Sequence, residues 1–397
     1  MAFSDLPLSY CTNVHPGETF AEACRGLRAF SQPLRRRVNR PIAAGLWMTA
    51  RAIEQLDLPE NVDALTVLLA DANLACYTMN AFPLGNFHAS RVKENVYLPN
   101  WTSSDRMDYT LRVARLLATL LPDGATGSIS TSPCAWKLAA PVGGYGVYFP
   151  RLIETATSLA ELADKTGKVI RLAIEPEPGC VLETTDEAIA FFHELWRSSQ
   201  GTAVETAVRE HLGLCYDVCH QAVEFEDVAD SIDRLDREGI RINKVHVTCA
   251  LELDAPGDME AREHLSHFAE ERYLHQTYAR HPDGRILSLP DLTRGFALDP
   301  PAEWLECPRW RTHFHVPINR ETMGTLRTTR PVLVEALRRV HELPYAPHLE
   351  VETYTWDVMP EEDMSSAGEP FDLVAVLAAE LESGLKIVQD LKGAAKE

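Results

Sequence analysis

The stretch Leu212-Gly213-Leu214-Cys215-Tyr216-Asp217-Val218-Cys219-His220 constrains this chain more than any other. It reads as a short buried strand whose C-terminal end carries a carboxylate and, three residues on, an imidazole. A parallel strand covered on both faces is mostly apolar, so polar side chains of this kind at its end need partners. A divalent cation is one such partner. A helix N-cap at Asp217 followed by a surface histidine at His220 is the plainer alternative, and Asp-x-x-His alone does not separate the two.

Three other strand ends tip the balance. Lys168 to Glu175 (KVIRLAIE) runs into Pro176-Glu177-Pro178-Gly179, which leaves Glu175 at the C-terminal edge of its strand. In Ile242 to Thr248 (INKVHVT), alternation puts Ile242, Lys244, His246 and Thr248 on one face. His348 to Tyr354 (HLEVETY) carries Glu350 and Glu352 with shared parity, Glu352 being nearer the end. Earlier strands are expected at Pro7 to Val14, at Ile42 to Met48, within Leu65 to Asn80, and at Thr126 to Thr131. Helical runs separate them: Glu18 to Phe30, a run through Leu56, one capped by Ser103 or Ser104 with Met107, Leu111, Ala114, Leu117 and Leu121 on one face, and Tyr148 to Thr166 before Gly167. Further helices are expected from a Thr185 cap through Trp196, over Asp227 to Arg237, from Pro331 to His341, and over Asp372 to Leu391.

Eight strands, each followed by a helix, fit an α/β fold of the (β/α)8 TIM-barrel type better than a doubly wound sheet. The expected organisation is a single barrel domain over 1–397 with an insertion at about 251–319 after the seventh strand. That insertion holds a histidine-rich helical piece (His264 to Tyr278) and a strand-like Arg311 to Ile318. The loop Ala81 to Trp101 is long, aromatic and without periodicity, and a loop of that length in a compact domain is expected to be functional, either closing over a pocket or packing against a partner.

In a barrel the C-terminal strand ends converge, which makes Glu175, Asp217, His246 and Glu352 neighbours. Singly, each has an ordinary explanation as half of an ion pair, a helix cap or a core histidine. Together, carboxylates meeting at one mouth repel, and a bound cation resolves the repulsion. These four are the expected metal ligands. The oxygen and nitrogen shell suits Mn, Mg, Co or Zn without choosing among them. Glu350, one layer deeper, is expected as a supporting partner or base. His15 and His88 follow the first and third strands, and His313 and His315 share a face in the insertion. Those four, with His275 and the neighbouring Gln276, are candidates for additional metal or substrate contacts.

A formal net charge of -20 disfavours nucleic acid and anionic membranes as partners and suits a small neutral or cationic molecule. Arg35-Arg36-Arg37 reads as a solvated patch. The nine cysteines show no CxxC pair, so neither a disulfide framework nor a cysteine zinc site is expected. The first residues lack a basic flank and no segment approaches a membrane span, so a cytoplasmic location is expected.

The segments Ile174-Glu175-Pro176, Asp217-x-x-His220, Val245-His246-Val247 and Glu352-Thr353 resemble the ligand segments of the xylose-isomerase-like barrel superfamily, which includes sugar isomerases, ketose epimerases and endonuclease IV. The run Ser9 to Glu18 (SYCTNVHPGE), with Asn80-Ala81-Phe82-Pro83, Val92-Lys93-Glu94 and Ser128-Ile129-Ser130-Thr131, resembles the EboE family of metabolite-traffic proteins over nearly the whole chain. The first resemblance implies a bound divalent metal. The second implies a setting of prenyl-transfer and cyclitol-type biosynthesis, with other pathway proteins as partners. Two departures stand out. Xylose isomerases place a lysine two residues beyond the first glutamate ligand, where this chain has Glu177. Endonuclease IV has more histidines on the earlier strands, where this chain has Ser130 and Thr131.

The expected activity is metal-dependent isomerisation or epimerisation of a sugar, polyol or cyclitol-like carbonyl compound. The metal would stabilise developing enediolate charge, Glu352, Glu350 or Glu177 would move the proton, and His220 would position a hydroxyl. The alternatives are a metal-dependent phosphoesterase of the endonuclease IV type and a non-catalytic metabolite carrier.

Overall fold

The computed structural model describes residues 3–85, 87–364 and 370–394. Seven parallel strands come first: β1 (Leu8–Cys11), β2 (Ile42–Trp47), β3 (Thr78–Asn80), β4 (Gly127–Thr131), β5 (Ile170–Ile174), β6 (Leu212–Asp217) and β7 (Ile242–Val247). The chain then leaves for six antiparallel strands, β8 (Cys249–Leu253), β9 (Thr277–Arg280), β10 (Ile286–Leu289), β11 (Trp310–Val316), β12 (Thr322–Met323) and β13 (Leu326–Thr328), which form a separate sheet. It returns as β14 (His348–Val351), which pairs with β7 and β1 and closes an eight-stranded parallel barrel. The expected (β/α)8 fold is the observed one. Among the described residues no helix is long and apolar enough to cross a membrane.

Local sequence explains the elements. Ser103 caps the helix Ser104–Leu120, whose Met107, Leu111, Ala114 and Leu117 are buried as the 3.6-residue period requires. Gly167 ends Phe149–Thr166 in the left-handed conformation, at φ 70°. The final helix, Leu373–Ala394, buries Leu377, Ala378 and Leu381.

Three details differ from the sequence reading. The helix Thr185–Ser199 is capped by Thr184, because Glu187 sits three residues on and completes a reciprocal capping box with that residue. In the histidine-rich piece only Met259–Ser266 is helical, because Thr277 onward is recruited as a strand beside β11. The inserted sheet also runs past residue 319, since β13 pairs with β8.

The barrel interior carries a polar layer beneath the mouth. Lys244 and Glu350 are fully buried, and the ammonium lies 2.6 Å from Glu350 Oε1. Ser9 Oγ donates to Glu350 Oε2 at 2.8 Å, and Lys244 donates to Ser130 Oγ at 3.1 Å. Burial opposes both charges, yet the pair wins: Lys244 holds the Glu350 carboxyl down to about 2. Gly45 makes room for this arrangement, because a Cβ there would sit 1.4 Å from Glu350 Oε2. Gly45→Ala is therefore expected to push Glu350 off Lys244 and lower stability by about 3 kcal/mol, the range for breaking a buried ion pair. Chemical denaturation of both proteins measures it, and an unchanged midpoint would contradict this role for the pair.

Candidate functional site

Each strand end delivers its side chain to one point. Glu175 follows β5 and is tied to the neighbouring strand by its amide, which donates to the Thr131 carbonyl at 3.0 Å. Asp217 ends β6 and also caps the helix Val218–Val223: its Oδ1 accepts from the His220 amide at 3.1 Å and from Thr248 Oγ1 at 2.7 Å. The N-cap is thus observed, with His220 buried rather than at the surface, and Oδ2 is left over, buried and without a partner. Glu352 lies just past β14. Its Oε1 accepts from the Asn13 and Asn80 side-chain amides, each at 2.9 Å, which turns Oε2 toward His246.

Three carboxylate oxygens surround His246 Nδ1: Glu175 Oε1 at 2.8 Å, Glu352 Oε2 at 3.2 Å and Asp217 Oδ2 at 3.4 Å. The four residues offer ligand atoms within 4.8 Å of one another, and all are buried. Two unit charges about 4–5 Å apart repel by roughly 3–4 kcal/mol at an effective dielectric of about 20, so three anions here need a counter-charge. The titration of the cluster reflects that need. Burial opposes a charge on His246, but Cys215, Glu175 and Glu352 raise it well above the ordinary imidazole range. Burial pushes Glu352 up to about 7. Asp217, despite burial, is held well below the carboxylate range by His220 and His315. The donor set, with unpartnered Asp217 Oδ2 and Glu175 Oε2, fits a divalent cation ligated by oxygen and one imidazole nitrogen.

A second set of donors adjoins the first. His220 Nδ1 lies 3.0 Å from the Pro176 carbonyl, His313 Nδ1 2.7 Å from Gln276 Oε1, and His315 Nδ1 2.6 Å from the Glu352 carbonyl. A carbonyl only accepts, so each Nδ1 carries a proton; burial keeps His313 and His315 neutral with a bare Nε2, whereas at His220 burial is outweighed by Asp217, Glu177 and Glu175, which raise it. The Nε2 atoms of His220 and His313 are 3.1 Å apart, and His315 Nε2 is buried without a partner, 3.9 Å from Asp217 Oδ2. Two lone pairs that close need a proton or a cation between them. Asp217, His220 and His315 form one cluster at ligand spacing, and Glu177, His220 and His313 another.

Above these groups lies a cavity of about 50 Å³. Glu175, Glu177, His220, His313, His315 and Glu352 contribute to its lining, and Phe82, Phe87, Val92, Val96 and Tyr97 of the 81–101 loop cover it. Tyr97 Oη donates to Glu177 Oε1 at 2.7 Å, leaving Oε2 of that carboxylate unpartnered, and burial pushes Glu177 up to about 7. The loop is fastened by Lys93, whose buried ammonium reaches the Glu270 carbonyl (2.8 Å), the Tyr273 carbonyl (2.6 Å) and Asp291 Oδ2 (2.8 Å).

The structure thus brings together Glu175, Asp217, His246, Glu352, Glu177, His220, His313 and His315. It leaves others apart. His15 stacks on Phe30 at 4.5 Å, and His88 packs against Trp47 and Phe87. His275 bridges Glu270 Oε1 and the His313 carbonyl, which steadies β11 and places it off the cavity. Gln276 stands behind His313. Glu350 lies under the floor with Lys244 and does not line the cavity. Residues given no role from sequence are Asn13, Asn80, Tyr97 and Lys244. Of these, only Lys244 had a signal, its shared parity with His246.

No protein-family model and no curated protein matches this chain. Solved structures do match in fold. A xylose isomerase-like TIM barrel protein from Mycobacterium smegmatis, solved in complex with magnesium, aligns with a TM-score of 0.54 at 13% identity, covering 98% of this chain and 99% of that one. The IOLI protein with a bound zinc atom aligns at 0.48 and 11% identity over 97% and 99% of the two chains. A D-allulose 3-epimerase from Methylomonas sp., in complex with D-allulose, aligns at 0.40 and 16% identity over 62% of this chain and 73% of that one.

Lys93→Met should loosen the roof, raising deuterium uptake across 82–97 and 270–276 while circular dichroism stays unchanged. Unaltered uptake would show that other contacts hold the loop.

Proposed function

We propose that this chain is a metal-dependent isomerase or epimerase acting on a small carbonyl compound of the sugar, polyol or cyclitol type. The observation that carries the reading is the ring of Glu175, Glu352 and Asp217 oxygens around His246 Nδ1, 2.8–3.4 Å away, beside a cavity that Glu175 and Glu352 line. Glu175, Asp217, His246 and Glu352 would hold the ion. A divalent cation bound there supplies Lewis-acid stabilisation of negative charge developing on adjacent substrate oxygens. The magnesium in the Mycobacterium smegmatis barrel and the zinc in the IOLI protein belong to those proteins; this chain's own donors do not choose between the two metals.

Glu177 is the base the geometry favours. It lines the cavity, Tyr97 orients one of its oxygens, and the other has no partner. A carboxylate so placed can take a proton from a carbon next to a carbonyl and return it to the neighbouring carbon or the opposite face. Glu350 is committed to Lys244 and Ser9, so its part is support. His220 orients a substrate hydroxyl. The likeness of Ser9 to Glu18 and its companion segments to the EboE family supports a place in a biosynthetic or metabolite-traffic pathway, with other pathway proteins nearby.

One observation favours a second reading. The facing Nε2 atoms of His220 and His313, with His315 beside Asp217, would take further ions, as a multinuclear phosphoesterase needs. The acidic surface argues against a nucleic-acid substrate.

Elemental analysis of the purified chain tests both. One ion per chain, lost in a folded Asp217→Asn/Glu175→Gln double variant, is expected; two or three ions would shift the assignment to the phosphoesterase. No ion in the parent would overturn both. Glu177→Gln should keep the ion and slow exchange of substrate α-protons with deuterated solvent by roughly 10²–10⁴-fold, the usual worth of a positioned base. Full exchange in that variant would remove Glu177 from the role.

A further inference from the structure

The cavity is two-sided in its chemistry. Its floor is made of carboxylates and imidazoles. Its roof and walls are Phe82, Phe87, Val92, Val96, Leu274 and Tyr354, and three aromatic rings, Phe87, Tyr273 and Tyr354, pack with centroids 4.8–5.1 Å apart at one end.

Several polar groups of the upper part are engaged within the protein, and the unpartnered ones, Tyr273 Oη and Asn13 Oδ1, are single buried atoms. Tyr97 Oη is on Glu177, the Asn80 amide nitrogen is on Glu352, and Asn80 Oδ1 accepts the Phe82 amide at 2.8 Å. The Lys93 ammonium has two carbonyls and Asp291 as partners. A free hexose bound with its first oxygens at the floor would press its remaining hydroxyls against Phe82, Val92, Val96 and Leu274, where each would lose its water without gaining a partner. A phosphate group under the roof would find the Lys93 ammonium already engaged and would face the floor carboxylates.

From this contrast, and resting on the metal-dependent reading above, we infer that the substrate is an unphosphorylated hydroxycarbonyl compound whose remainder is apolar, an alkyl or aryl group held under the 81–101 roof. The two oxygens sit at the floor beside Glu177 and Glu352, and the apolar part replaces water along Val92, Val96 and Leu274. The burial of that part supplies binding that a bare polyol cannot obtain here.

Three small probes sharing one head group separate the possibilities: dihydroxyacetone, dihydroxyacetone phosphate and 2-hydroxyacetophenone. Calorimetric titration of each into the metal-loaded full chain should give a dissociation constant for the aryl ketol at least tenfold below that of dihydroxyacetone, with the phosphate weakest. Val96→Asn should erase the aryl advantage, and Val96→Leu should keep it. Equal or tighter binding of dihydroxyacetone or its phosphate, or no binding by any of the three, would overturn the inference. Deuterium exchange at the α-carbon, followed by NMR on the same samples, reports separately on the reaction. The predicted affinity order without exchange would sink the isomerase reading and leave the substrate class standing. Exchange of all three with no preference would do the reverse.

Discussion

Crowding of three buried carboxylates around one imidazole nitrogen is the constraint on which the rest of this structure depends. Glu175, Asp217 and Glu352 come from three different strand ends, and nothing but closure of the barrel brings them within a few ångströms of His246 Nδ1. Their mutual repulsion works against folding unless a positive charge joins them. Neighbouring residues hold the carboxylates in place, through Asn13 and Asn80 on Glu352 and through Thr248 and the His220 amide on Asp217. One oxygen of each of these two groups is thereby used up and the other is aimed inward. Such an arrangement is suited to a cation.

The layer below serves the same end. Lys244 and Glu350 neutralise each other in the barrel interior, so the floor of the site is not made still more negative by Glu350. Their position explains why a glycine stands at 45 and serines at 9 and 130. Above the site, the long loop is pinned by a buried lysine at the start of its short 3-10 turn, and its apolar side chains cover the cavity.

The barrel was legible in the sequence because strand period and helix period alternate with clear stops, as at Gly167 and Pro176. The four convergent side chains were legible for the same reason, each being the last inward-facing residue of its strand. What did not show depends on distant contacts. His15 and His88 follow the right strands, but the packing of Phe30, Trp47 and Phe87 takes them away from the mouth. His313 and His315 did show, as a pair on one face of a strand-like segment, and the pairing of β11 back onto β8 brings them to the site. Asn13 and Asn80 looked like ordinary strand-end amides until the barrel placed both on one carboxylate.

X-ray absorption spectroscopy on the chain loaded with one equivalent of cobalt or zinc tests the central claim most directly, since it reads the ligand atoms around the ion itself. One imidazole nitrogen with oxygen neighbours is expected, with loss of the imidazole signal in His246→Ala but not in His313→Ala. A shell with two or three imidazoles, or one unchanged by His246→Ala, would place the ion among His220, His313 and His315 and contradict it.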